Sequence, residues 1–156
     1  MPQHPGEEDK PCRACSDFKT WSKLQGSKSK KAITPPKPVV EGRKDCPLDK
    51  DELGRSTWGL LHTMASYFPE KPNNCQTEDV VQFFNIFAKF YPCEPCALDF
   101  QEDIKENPPK ACTREELAKW LCDRHNTVNK KLGKPLFDCS KVHERWRDGW
   151  ADGSCD

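Results

Sequence analysis

Cys93 and Cys96 stand three positions apart in the string Phe90-Tyr91-Pro92-Cys93-Glu94-Pro95-Cys96, where one helical pattern is stopped by proline and another begins. A dithiol at a helix start can open and close as a disulfide. First-turn amides and the helix dipole favour a thiolate there, below the ordinary cysteine range of about 8.5. The same spacing also serves as half of a zinc site, so the pair alone leaves two chemistries open. A second such pair, Cys12-Arg13-Ala14-Cys15, lies upstream, with 77 residues between Cys15 and Cys93. Paired zinc-ribbon motifs stand about 15–20 residues apart. A mobile dithiol that visits a fixed one fits this spacing better than a shared metal.

Ten cysteines in 156 residues point to disulfides, metal or redox chemistry. The length suits one domain with a tail. Charge is uneven: residues 1–44 carry ten Lys/Arg against five Asp/Glu, while residues 45–156 carry fifteen against twenty. That balance argues against a globally basic nucleic-acid binder. Mean hydropathy is −0.91, no stretch approaches the about 18 apolar residues of a membrane span, and no secretory signal is visible. Residues 1–44, with six prolines and Ser27-Lys28-Ser29-Lys30-Lys31, read as a flexible basic tail carrying the Cys12/Cys15 dithiol. Residues 45–156 read as the folded domain.

Four helices must position the Cys93/Cys96 pair. The first, capped by Asp49 or Asp51 and running to about Tyr67, carries Leu53, Leu60, Leu61, Met64 and Phe68 at helical spacing. Trp58 and His62, four apart, share a face. Thr77 is expected to cap the second helix, whose broad apolar face includes Phe83, Phe84 and Phe87. The third runs from about Cys93 to Glu106, with Pro95 tolerable only in its first turn. Thr113 and Glu116 match a capping box for the fourth, which Gly133 and Pro135 end. Ser140 is expected to cap a short fifth helix containing Trp146 and Trp150. The expected fold is all-α: an up-down four-helix bundle plus that short helix, and no strand or Gly-rich nucleotide fingerprint accompanies it.

In an up-down bundle the Cys93/Cys96 turn, the start of the first helix and the end of the fourth meet at one end. Arg55 and Trp58 should therefore converge there with His125, Asn129 and Lys134, an arrangement suited to a planar cofactor. Cys75 and Cys112 fall in loops at the opposite end and are expected to approach each other. A bridge between Cys122 and Cys139 would close a loop of 17 positions and contribute ~3 kcal/mol by chain entropy. Cys46 and Cys155 could staple the two ends of the domain or link two chains. The residues alone reach a helical thiol–disulfide protein; a disulfide-stapled interaction bundle and a structural zinc protein stand as competitors.

Three strings go further. Phe90-Tyr91-Pro92-Cys93-x-x-Cys96, His125-Asn126-x-Val128-Asn129-x-x-Leu132-Gly133-Lys134-Pro135, and Asp148-Gly149-Trp150-x-Asp152-Gly153-Ser154-Cys155 closely resemble the FAD-linked sulfhydryl oxidases of the Erv family. Gly54-Arg55-x-x-Trp58-x-x-Leu61-His62 fits as well, and the resemblance covers about residues 43–156. Cys12 to Cys15 resembles the shuttle dithiol of the family's long forms. The resemblance implies FAD held noncovalently at one end of the bundle, with Cys93 meeting the shuttle and Cys96 facing the flavin. It places cofactor contacts at Gly54, Arg55, Trp58 and His62 in the first helix, and at Tyr91 and Asp99 around the dithiol. It places others at Cys122, His125, Asn126, Val128, Asn129, Lys131, Leu132 and Lys134 in the fourth helix and its exit, and at Arg145 and Trp146 beyond. It makes Cys122–Cys139 a structural bridge and Cys46–Cys155 the link of a homodimer.

The implied activity is thiol oxidation. Electrons would pass from a substrate dithiol through Cys12/Cys15 and Cys93/Cys96 to the flavin, then to dioxygen, giving hydrogen peroxide, or to cytochrome c. The implied setting is the mitochondrial intermembrane space, with a shorter form in the cytosol or secreted. The implied partner is the mitochondrial import-and-assembly oxidoreductase; nucleic acid, membrane and metal are not expected.

Overall fold

A computed structural model of the chain describes residues 46–155. The described residues fall into two units that divide after Leu53. In the first, Asp49 is the residue that caps α1: its carboxylate accepts from the Glu52 amide at 2.8 Å, and Glu52 returns the bond to the Asp49 amide at 3.0 Å. Cys12, Cys15 and the rest of the expected tail lie outside the described residues.

The architecture is all-α. Helices α1 (Lys50–Ser66), α2 (Asn74–Phe90), α3 (Glu94–Glu106) and α4 (Arg114–Lys131) follow one another through short connections. Among the described residues there is no strand, and no helix is long and apolar enough to cross a membrane. The helices close on a core of Leu61, Ala65, Phe84, Ala88, Ile104, Leu117, Trp120 and Leu121. Phe84 meets Trp120 edge-on at 4.9 Å, and the Trp120 indole donates to the Asn107 carbonyl at 3.0 Å. That single bond lets a large amphipathic ring be buried without an orphaned N–H.

Three expectations are corrected. α2 begins at Asn74, because Asn73 and Gln76 form a reciprocal capping box; Thr77 lies inside the helix and spends its hydroxyl on the Ala111 carbonyl at 3.1 Å. The short fifth helix is continuous from Cys139 to Asp148 but irregular. Asp138, rather than Ser140, caps a 3₁₀ turn at Cys139–Lys141, and a five-residue π-type turn, Glu144–Asp148, follows and excludes Trp150. The apolar pattern of α1 also splits: Leu61 is buried, whereas Leu60 and Met64 face outward at 61% and 43% exposure.

The far end of α1 is held from a distance. The helix has no basic residue in its last turn, and Arg114 and Arg147 donate to the Phe68 and Ser66 carbonyls at 2.5 and 3.3 Å. These bonds satisfy acceptors left open at and just beyond the helix terminus.

Candidate functional site

The Cys93–Cys96 pair is closed as a disulfide, with Cα atoms 5.3 Å apart, at the start of α3. Tyr91 ends α2 in an extended conformation, Pro92 prevents its continuation, and Cys93 takes the N-cap position of α3. Pro95 sits in the first turn, where no amide is needed. The two sulfurs differ in setting. Cys93 is fully buried, whereas Cys96 is half-buried and lines a small, partly open cavity.

Thr57, Trp58 and Leu61 of α1, Phe87 and Tyr91, Cys96, Asp99 and Phe100 of α3, and Val128 of α4 wall that cavity. Burial raises the Tyr91 pKa, against the opposing pull of its hydrogen bond with Thr57, so the phenol stays protonated at neutral pH. Beside the cavity stands a set of near-parallel rings. Trp58 stacks on His125 at 4.1 Å with 3° between planes, and His62 stacks on Trp146 at 4.9 Å with 4°. Trp146 lies against α1 at Gly59, where even a Cβ would make only an ordinary contact 3.9 Å from the ring, and the Arg145 guanidinium lies 4.4 Å from the same ring's centre.

His62 Nε2 and His125 Nδ1 are 2.9 Å apart. Such a bond requires one nitrogen to carry the proton and the other to accept it, so the two rings cannot both be charged. Burial above all, then the His125 and Arg145 charges, pushes the His62 pKa down to about 3. Burial and then Lys134 push His125 down to about 4. His62 Nδ1 is buried without a hydrogen-bond partner, which marks a place where a bound polar group would be satisfied. Flat aromatic walls, an orphaned ring nitrogen and nearby Arg145 and Lys134 together fit a planar, phosphate-bearing cofactor.

The remaining expected residues are distributed as follows. Arg55 is exposed on α1, and Gly54 is half-buried beside it. Lys131 pairs with Asp99 at 2.5 Å across the α3–α4 surface. Asn126 and Asn129 are joined to each other at 3.3 Å, and Leu132 ends α4. Cys122 is bonded to Cys139, with Cα atoms 5.8 Å apart. Cys46 and Cys155 are exposed thiols, and so are Cys75 and Cys112. Sequence reasoning overlooked Thr57 and Phe100 as cavity residues and read Phe87 as core. Helical spacing from Cys96 to Phe100 and from Tyr91 back to Phe87 was the available signal. Among the described residues no group of three or more His, Cys, Asp or Glu side chains could hold a metal ion.

The Cys122–Cys139 bridge carries a stability prediction. It closes a 17-residue separation, so replacing both cysteines by serine is expected to cost about 3 kcal/mol. Urea unfolding of the double variant beside the unchanged chain measures this.

Known proteins supply the context for this geometry. The Erv1 / Alr family profile matches residues 55–147. The mitochondrial FAD-linked sulfhydryl oxidase ERV1 of Saccharomyces cerevisiae is 41% identical over 92% of this chain and 86% of its own length. The FAD-linked sulfhydryl oxidase ERV1 of Arabidopsis thaliana is 47% identical over 64% of this chain, which spans about half (52%) of that protein. Among solved structures, the yeast Erv1 core superposes with a TM-score of 0.68 at 49% identity, covering 72% of this chain and 95% of that one. The FAD binding domain of Erv1 from Saccharomyces cerevisiae gives 0.65 at 50% identity, covering 67% and 99%. The matched stretch contains the dithiol, the stacked rings and the α4 segment described above, and the chain belongs to the Erv1 / Alr family.

Proposed function

We propose that this chain is a FAD-linked sulfhydryl oxidase that makes disulfides in other proteins. The observation that carries the reading is a disulfide at a helix N-terminus with one sulfur, Cys96, on the wall of an aromatic cavity. Trp58, His62, His125, Val128 and Trp146 would hold the planar parts of FAD, with Arg55, Asn129, Lys134 and Arg145 near its polar parts. FAD bound there supplies a two-electron acceptor that passes the electrons on to dioxygen or cytochrome c.

The protein's own steps are thiol–disulfide exchange. A substrate dithiol gives up two electrons and two protons and leaves as a disulfide; the Cys12–Cys15 disulfide takes those electrons and becomes a dithiol. That dithiol in turn reduces Cys93–Cys96 through a mixed disulfide. Cys93 is the sulfur attacked and Cys96 the one released toward the cavity. Because Cys93 is fully buried, exchange there needs a local movement that uncovers its sulfur. Residues 1–44 act as the shuttle arm in this scheme and residues 45–156 as the oxidase domain.

The homodimer belongs to the same reading. Leu60, Met64 and Tyr67 follow helical spacing along and just past α1 and are exposed by 61%, 43% and 64%. Cys46 and Cys155 are exposed thiols available for bridges between subunits. The setting is the mitochondrial intermembrane space, where the import-and-assembly oxidoreductase is the partner dithiol. The test of the whole reading is the absorption spectrum of the purified protein. A yellow protein that bleaches with dithiol under anaerobic conditions and recovers in air supports it; a colourless, correctly folded one overturns it.

A further inference from the structure

The segment that leaves α4 doubles back along it. Gly133, at φ +66°, reverses the chain. Three rungs then tie the returning segment to successive turns of the helix. The Lys134 amide donates to the Asn129 carbonyl at 2.8 Å, Phe137 pairs with Asn126, and Cys139 is bonded to Cys122. The middle rung uses one side chain in place of a strand. Asn126 Nδ2 donates to the Phe137 carbonyl at 2.8 Å, and Asn126 Oδ1 accepts from the Phe137 amide at 2.9 Å.

Nothing of this carboxamide is left over. Oδ1 also accepts from Asn129 Nδ2 at 3.3 Å, and Nδ2 reaches the Cys139 and Cys122 sulfurs at 3.5 and 3.9 Å. A primary amide has two donor hydrogens and two acceptor lone pairs, and all four are directed at the chain's own atoms. A hydrogen bond to a bound cofactor would require giving one of them up. Asn126 nonetheless sits next to His125, whose ring stacks on Trp58, and the segment it ties down carries Lys134, whose charge acts on His125.

We infer that Asn126 is a positioning residue: it clamps the 132–139 segment to α4 and so holds Lys134 beside the cofactor site, without touching the cofactor. The inference rests on the FAD reading for its functional half and on the three-rung geometry alone for its structural half. Replacing Asn126 by alanine strands the Phe137 amide and carbonyl together. Losing two such bonds loosens the segment, and the expected result is a roughly tenfold weaker affinity of the apoprotein for FAD.

Two measurements decide it, both on the full chain. The first is fluorescence titration of the apoprotein with FAD for N126A, K134A and the double variant. If Asn126 works by holding Lys134, N126A weakens binding in the unchanged background but adds little once Lys134 is gone. Additive losses would mean that Asn126 contacts the cofactor itself and would overturn the inference. The second is the rate at which a water-soluble phosphine reduces Cys122–Cys139 in the apoprotein, followed by alkylation and peptide mapping. Loosening the clamp is expected to speed this about tenfold in N126A. An unchanged rate overturns the clamp whatever FAD does. Asn126→Asp, which keeps the acceptor and sets a carboxylate oxygen against the Phe137 carbonyl, gives the same two readouts should the alanine variant fold poorly. Unchanged FAD binding and reduction rate in N126D would sink the inference. An unchanged chain that takes up no FAD would instead overturn the oxidase reading and leave the clamp to the reduction rate.

Discussion

Serine in place of Cys96 is expected to drop thiol-dependent oxygen consumption to background, by about a thousandfold or more. Cys93→Ser and the double variant should fall to the same level. The two sulfurs act as one unit, and losses in such a unit do not add. Without the Cys93–Cys96 bond there is no acceptor for the incoming electron pair, whatever else remains intact. The two single variants should still differ in thiol access. Cys96 lines the cavity and is half-buried, whereas Cys93 is fully buried, so the thiol left in Cys93→Ser should alkylate faster than the one left in Cys96→Ser. Peptide mapping separates these from the exposed Cys46, Cys75, Cys112 and Cys155. Turnover in Cys96→Ser above a hundredth of the unchanged rate would place the chemistry elsewhere.

Mild acid is the second large lever. An unfolded histidine titrates near 6.5, whereas His62 and His125 in the fold are held down to about 3 and about 4. Above pH 6.5 neither state binds these protons, and the pair makes stability independent of pH. As pH falls below 6.5 the unfolded chain takes up two protons that the folded chain refuses, so stability declines. The slope can reach at most about 2.7 kcal/mol per pH unit for the two groups, and it fades once the folded rings protonate near pH 4 and below. Urea unfolding at a series of pH values from 7.5 to 5, before most carboxylates titrate, measures the slope. A variant with both histidines replaced by asparagine should be nearly flat over that window. Equal slopes in the two proteins would mean that the pair is not held neutral.

The dithiol's placement was legible because its signals are local. Pro92 and Pro95 leave only one way to start α3, and Thr113 caps α4 by accepting from the Glu116 amide at 3.1 Å. The convergence of Trp58 with His125 followed from short loops and an up-down order. The errors arose where two local solutions compete and a distant partner decides. Thr77 followed by Glu78 and Asp79 reads like a first turn, but the Asn73–Gln76 box starts α2 earlier and frees Thr77 for Ala111. Leu60 and Met64 obey helical spacing as well as Leu61 does, yet spacing does not say which side of α1 meets the core. The cofactor could not be read from periodicity at all. It came from the resemblance; the fold itself shows only that His62 Nδ1 is buried without a partner.

The arginines at the far end of α1 bear on the order in which the chain folds. The last carbonyls of the helix and its exit receive donors from residues 46 and 81 positions away, and no basic residue in its own last turn does that work. Contacts of such long sequence separation are closed late, after α4 and the π-type turn have arrived. The end of α1 should therefore be frayed in the folding transition state. Substitutions of Arg114 or Arg147 should hasten unfolding while leaving the refolding rate nearly untouched.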